Sequence, residues 1–229
     1  MSHSPKINDR VTVTFEELPV FPLSGVTLFP KLVLPLHIFE LRYQALLQHC
    51  LERDRRFAVA QPTFDGDLRG VGMRSPLLRP ICVIGRVVAT QPLAEGRWNI
   101  LLQGEERVEL INERVREGQL YRSFSARPYP DLPSEPAQHG LLEGKLRELL
   151  GVLERQGGES SERAALLLEG GEELDLLCAL TSAHLVTEPD VRQALLEVDR
   201  LDDRAEMLID HLTQQLLLSF SGDEEAEVH

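Results

Sequence analysis

The stretch that decides the fold is LPVFPLSGVTLFPKLVLPLHIFELRYQALL, residues 18–47. Four prolines, Pro19, Pro22, Pro30 and Pro35, stand among closely spaced apolar residues and then stop. Proline fixes φ and has no N–H, so it is excluded from central strands and helix interiors. The pieces between them, VF, LSGVTLF and KLVL, are short and read as extended segments at sheet edges and barrel corners. Ser24-Gly25 marks a turn between two of them. Beyond Pro35 the apolar spacing becomes helical. Ile38, Leu41 and Ala45 share one face, flanked by Phe39, Tyr43, Leu46, Leu47 and Cys50, and the polar run ERDRR closes the helix near residue 53.

Working outward, FAVAQ (57–61) reads as a short buried strand and DGDLRGVG (65–72) as a polar loop. PICVIGRVVATQPL (80–93) reads as a strand bent at Gly85. After a turn at Glu95-Gly96 come two strands separated by Gly104, the second alternating Val108 and Leu110 with Arg107 and Glu109. QLYRSFSARPYP adds one more extended piece. Residues 11–130 therefore form a β-rich pseudo-barrel with one early helix. DLPSEPAQHG (131–140) is a linker, and everything after it has helical spacing. Leu142, Leu146, Leu149 and Leu153 make one stripe. Ser160 or Ser161 caps a second helix after Gly157-Gly158, EELDLLCALTSAHL is a third, Thr187 caps a fourth with Pro189 in its first turn, and LDDRAEMLIDHLTQQLLLSF is a fifth. Their short links predict an antiparallel bundle over 134–220, with 221–229 as a flexible acidic tail. The fold class is α+β.

The 229 residues carry a net charge of −13, unevenly placed. Residues 1–130 hold 17 Lys/Arg and 14 Asp/Glu, a net of +3, whereas residues 131–229 hold 7 and 23, a net of −16. The acidic half repels phosphate backbones, which excludes nucleic acid as a partner of the whole chain. No stretch reaches the ~20 apolar residues of a membrane helix, and the polar N-terminus lacks a signal-peptide core, so the expected location is the cytoplasm. Three cysteines, Cys50, Cys82 and Cys178, lie far apart and form neither a disulfide framework nor a CxxC zinc motif.

The proline motif resembles the N-terminal, substrate-binding domain of Lon proteases. The matching pattern is Leu18–Leu23, Leu28–Pro30, Leu34–Glu40 and Arg42-Tyr43, followed later by the Gly96-Arg97 turn and by Gly104 and Arg107 in a Gly-x-x-Arg strand. The resemblance covers roughly residues 15–215 and includes the β-then-helical order. Lys31 stands where glycine is usual, and Leu41 where proline often precedes Arg-Tyr, which lets the helix start earlier. Lon proteases continue into an ATPase module and a serine-lysine peptidase. This chain shows no Gly-x-x-x-x-Gly-Lys-Ser/Thr loop, and its three lysines, Lys6, Lys31 and Lys145, offer no Ser–Lys dyad.

Side chains with chemical potential have structural explanations. His37 and Glu40, three apart, read as a local hydrogen-bonded pair that fixes the start of the helix in preference to a metal or acid–base pair. His49 and Cys50 are adjacent and so point about 100° apart on a helix, which makes Cys50 an inert core residue. His184 and His211 lie on separate helices and read as ordinary surface or core histidines. The motif residues Pro22, Pro30, Pro35, His37, Glu40, Arg42, Tyr43, Gly104 and Arg107 are expected to build corners and core. Trp98 and Arg97 after the turn, with Leu68 and Arg69 in the polar loop, are the candidate partner surface. The resemblance implies a module without catalytic residues, cofactor or metal that binds unfolded or partner polypeptide, in an apolar groove or by adding a strand to an open sheet edge. Two rivals are a small cytoplasmic hydrolase with an unfamiliar His/Glu/Cys constellation and an adaptor for one specific partner.

Overall fold

The computed structural model describes residues 15–63, 76–170 and 173–226, with side chains through residue 220. The N-terminal half contains strands β1 (Phe15–Pro22), β2 (Val33–Ile38), β3 (Arg56–Ala60), β4 (Ile81–Pro92), β5 (Trp98–Arg114) and β6 (Arg122–Pro128), with helix α1 (Leu41–Leu51) after β2. The C-terminal half contains α2 (Pro136–Gln156), α3 (Glu159–Glu169), α4 (Leu174–His184), α5 (Pro189–Glu197) and α6 (Leu201–Ala226), the last continuing into the stretch read as a tail.

The α+β class and the rolled sheet agree with the sequence, but the sheet is not a clean barrel. Strand order is β2-β5-β4-β3-β1-β6, and β5 also pairs with β6. Five strands thus close on themselves while β2, paired among the described residues with β5 alone, projects as a flange. The cause lies in β5, which is one strand of 17 residues where the sequence suggests two. Its first half pairs with β2 and its last part with β6. Gly104 joins the two roles: a Cβ there would sit 2.2 Å from the backbone oxygen of Phe29. The β1–β2 connection therefore lies directly on Gly104, held by the Lys31 N–H donating to Gly104 O and the Gly104 N–H donating to Leu32 O, both 2.8 Å.

The early helix starts later than its spacing suggests. Pro35 and Ile38 belong to β2, which as an edge strand tolerates proline. The buried face of α1 is Tyr43, Leu46, Leu47 and Cys50, whereas Leu41 is 76% exposed. Tyr43 sets this face by stacking on Phe21, ring centroids 4.1 Å apart, and donating to Pro22 O at 3.4 Å. The helix caps differ too. Helix α3 begins at Glu159 and Ser161 Oγ reaches back to Glu154 O, while Thr187 Oγ1 donates to Glu188 without capping α5.

One apolar core fills the space between α1 and the sheet, around Phe57, Leu46, Leu47 and Leu102, and a second lies among α2, α3, α4 and α6 around Leu146, Leu150, Leu177 and Leu208. The halves are not independent: Ala179 of α4 and Leu196 of α5 belong to the first core. Gln193 Nε2 of α5 donates to Ile81 O at 2.8 Å, and Arg192 Nη2 to Gly25 O at 2.8 Å.

Candidate functional site

Among the described residues no strand pairs with the outer edge of β2, which presents a defined set of backbone groups. In an antiparallel ladder, directly bonded and unbonded residue pairs alternate. Gly104 donates to Leu32, and the register pairs Leu34 with Leu102, Leu36 with Ile100 and Ile38 with Trp98. These even-numbered residues bond inward to β5. Val33, Pro35 and His37 therefore turn their backbone groups to the open side, offering carbonyls at all three but N–H donors at Val33 and His37 alone. Pro35 leaves the middle of the edge without a donor, a known restraint on uncontrolled strand pairing.

The side chains of these residues line the outer face of the flange. Pro35, Leu101 and Ala89 form one cross-strand row, and His37, Asn99 and Gln91 the next. The second row is a chain of polar contacts: His37 Nδ1 to Asn99 Oδ1 at 2.8 Å, and Asn99 Nδ2 to Gln91 Oε1 at 3.2 Å. Thus His37 partners Asn99 and not Glu40, which pairs with Arg42 at 2.7 Å. The two rows border an open groove of about 550 Å3 whose lining, among the described residues, holds no carboxylate, ammonium or guanidinium. Around it Val33 is 52% and Leu101 41% exposed, and Val88, set outward by the register shift between Val87 and Ala89, is 47% exposed.

Trp98 lies on the opposite face of β5 from the groove, half-buried, paired with Ile38 and Pro92 and packed on the first core. Arg97 folds onto its own turn, with Nε donating to Ala94 O at 3.1 Å. Leu68 and Arg69 lie outside the described residues. Several of the remaining motif residues make internal contacts. Pro30 packs over Gly104, Arg42 covers the Tyr43 ring at 4.6 Å, and Arg107 crosses to the helices. Arg107 Nη1 donates to Leu196 O at 2.7 Å and Val198 O at 2.6 Å, and its Nη2 pairs with Asp131, which Arg204 of α6 also contacts.

Titratable groups also meet in a depression of about 380 Å3, which includes Glu16, Glu17, His49, Cys50, Arg53 and Asp54. Burial pushes the Cys50 thiol up to about 12, far from a thiolate at neutral pH. Burial, aided by Arg53, holds the His49 imidazole below its usual range, and its ring lies 5.5 Å from that of Tyr121. Among the described residues no group of three His, Cys, Asp or Glu side chains is placed to hold a metal ion, and no helix is long and apolar enough to cross a membrane.

Sequence reasoning did not single out Val33, Leu101, Asn99, Asp131, Gln193 or Arg204. Leu101 had a legible signal, an apolar residue out of phase with buried Ile100 and Leu102, which places it on the opposite face of the strand.

Comparison with known proteins gives this architecture a family. The substrate-binding domain of ATP-dependent protease La (LON) matches residues 17–214. Lon protease 2 of Herpetosiphon aurantiacus is 27% identical over 221 residues, 94% of this chain and 26% of that protein. Lon protease 1 of Bdellovibrio bacteriovorus is 27% identical over 198 residues, 86% of this chain and 24% of that protein. Among solved structures, a Lon N-terminal domain protein from Xanthomonas campestris aligns with a TM-score of 0.59 at 25% identity, covering 86% of this chain and 98% of that one. The N-terminal domain of the Mycobacterium avium complex Lon protease shares the fold, with a TM-score of 0.65 at 16% identity and the same coverage. The chain belongs to the Lon substrate-binding domain family, and spans about a quarter of the length of the two Lon proteases described above.

Proposed function

We propose that this protein is a non-enzymatic binding module for extended, apolar polypeptide, and that the β2 flange is its contact surface. The observation that carries this reading is the coincidence of an open strand edge with an uncharged groove. An incoming strand bonds to the backbone at Val33 and His37, about 13 Å apart for four residues of extended chain. Its side chains then lie along Pro35, Leu101 and Ala89. Main-chain bonds give sequence-tolerant affinity and the groove rewards apolar side chains. Family membership supports the same reading, because the domain's name describes substrate binding in Lon proteases. The hydrolase alternative has weaker support: the charged depression near His49 holds a thiol that stays protonated.

The test uses a permanently unfolded probe, reduced and carboxymethylated lactalbumin, and a photo-crosslinking residue in place of the exposed Val88 of this protein. Crosslinks form in the parent and are competed by unlabelled probe. Val33→Pro removes one edge donor and Leu101→Asp places a charge in the groove, and each weakens binding about tenfold or more. Undiminished affinity in both variants overturns the assignment. Crosslinking in cell extract then separates a general module, with many captured chains, from an adaptor with one.

A further inference from the structure

A second cavity lies where the two halves meet. It measures about 60 Å3 and is lined by Phe29, Pro30, Lys31, Arg107, Asp131, Asp175, Ala179, Leu196 and Arg204. Five of these side chains are charged, three positive and two negative. Lys31 pairs with Asp175, so the residual charge rests on two guanidiniums that share the Asp131 carboxylate. Both are deeply placed: Arg107 is 6% and Arg204 9% exposed. Burial first, and the charge of Arg204 next, lower the pKa of Arg107. The buried Nε–H of Arg204 has no acceptor among the described residues. Lys31 stands at the rim in a left-handed conformation, φ 68°, which an L side chain rarely adopts. Strained backbone of this kind persists where the surroundings enforce it.

We infer that this junction cavity binds a small tetrahedral oxyanion of the phosphate or sulfate type. The chemistry of the lining favours that class. Guanidinium forks match the paired oxygens of such an anion, and the two buried cations share a single carboxylate in direct contact, with Asp199 acting on Arg107 at longer range. The cavity admits a small ion and not a nucleotide or a peptide. The carbonyls of Leu196 and Val198 are already occupied by guanidinium donors, so they do not repel the anion unscreened. Because Arg107 belongs to β5 and Arg204 to α6, a bound anion ties the sheet to the helices. It thereby sets how firmly the polypeptide-binding half is held against the acidic bundle.

The experiment measures thermal unfolding of the whole chain in phosphate, sulfate and chloride at matched ionic strength. A ligand at a hundred times its Kd raises the Tm by about 5–10 °C for a protein of this size. Phosphate and sulfate are expected to give that increment over chloride. Lys31→Met, at the exposed rim, keeps the fold and weakens the response about two- to fivefold in apparent Kd. Asp131→Asn removes the competing carboxylate. Its stability in chloride falls, and phosphate restores it with a larger increment than in the parent. Glycerol phosphate separates a free ion from the end of a larger ester: a response there extends the ligand class, and none restricts it to the inorganic ion, both with the site intact. Equal Tm values in phosphate, sulfate and chloride, or a phosphate increment unchanged in both variants, overturn the proposal.

Discussion

Gly104 and Lys31 show how much fold a single backbone position can carry. At Gly104 the obstacle is main chain: an added Cβ meets the Phe29 oxygen at 2.2 Å, and neither strand nor loop can yield without losing the bonds that join them. At Gly85 the obstacle is the Leu102 side chain, 2.5 Å away, which can rotate at the cost of core packing. Gly104→Ala is therefore expected to lose about 3 kcal/mol or more, and Gly85→Ala about 1–3 kcal/mol, in urea denaturation. Lys31 occupies the left-handed region at a cost of roughly 1 kcal/mol. Lys31→Gly relieves that strain and loses an exposed ion pair, so its stability stays within about 1 kcal/mol of the parent. Lys31→Val loses about 1–2 kcal/mol, because a β-branched residue fits that region worst. At this scale the sequence is legible where a residue type answers a backbone need. The resemblance marks position 31 as a glycine site, and the φ explains why. It is illegible where a side chain's role depends on what lies opposite. Arg107 reads as the polar half of an alternating strand, yet it is buried because carbonyls of α5, some ninety residues on, approach it.

Among elements, β2 and β5 decide both the shape and the proposed site. Apolar runs located β3, β4 and β6 from sequence, and alternation located the second half of β5. The sequence read KLVL as an extended edge piece but ended it at Pro35, where helical spacing masked the rest of β2, a strand whose partner among the described residues is β5. That same Pro35 keeps the edge incomplete. Pro35→Val supplies the missing central donor, and light scattering is expected to show concentration-dependent self-association absent from the parent. A monodisperse variant with unchanged peptide affinity would mean that the open side of β2 is not accessible to strands. The other end of the flange is fastened by Glu105 of β5, which accepts from Arg56 of β3 and Arg86 of β4, each at 2.6 Å. Burial works to raise the Glu105 carboxyl, but the bonds from Arg86 and Arg56 outweigh it and hold it below the usual carboxylate range. A depressed folded value stabilises the fold above the unfolded pKa of about 4.3 and loses that contribution as pH falls through the folded value. The stability gap between the parent and Glu105→Gln is thus expected to be full at pH 7 and to close below about pH 4.

For the molecule as a whole, the charge division at residue 130 suggests two objects, and the packing joins them. Apolar spacing reveals that a helix has a buried face but not which neighbour covers it, so Ala179 and Leu196 gave no sign in the sequence of belonging to the sheet's core. Charge was equally silent, because Arg107, Asp131 and Arg204 come from three separate segments. Together they form the polar part of the junction, beside the apolar contacts of α4 and α5. Replacing Arg107 by Met keeps similar length and removes every donor to Leu196 O and one of two to Val198 O. Arg107 is buried but Asp131 is 43% exposed, so the loss is that of charge-assisted hydrogen bonds from one buried guanidinium, about 1.5–3 kcal/mol. The loss falls on the contact between halves and not within either core, so it acts on cooperativity as well as stability. Trp98 is the single tryptophan and sits on the first core, so its fluorescence follows the β half, while far-UV circular dichroism follows chiefly the helices. In the parent both signals are expected to change at one urea concentration, as coupled halves unfold together. In Arg107→Met the dichroism transition is expected to move to lower urea and separate from the fluorescence transition. Coincident transitions at the parent's midpoint would show that the apolar contacts of Ala179 and Leu196 couple the halves without the arginine.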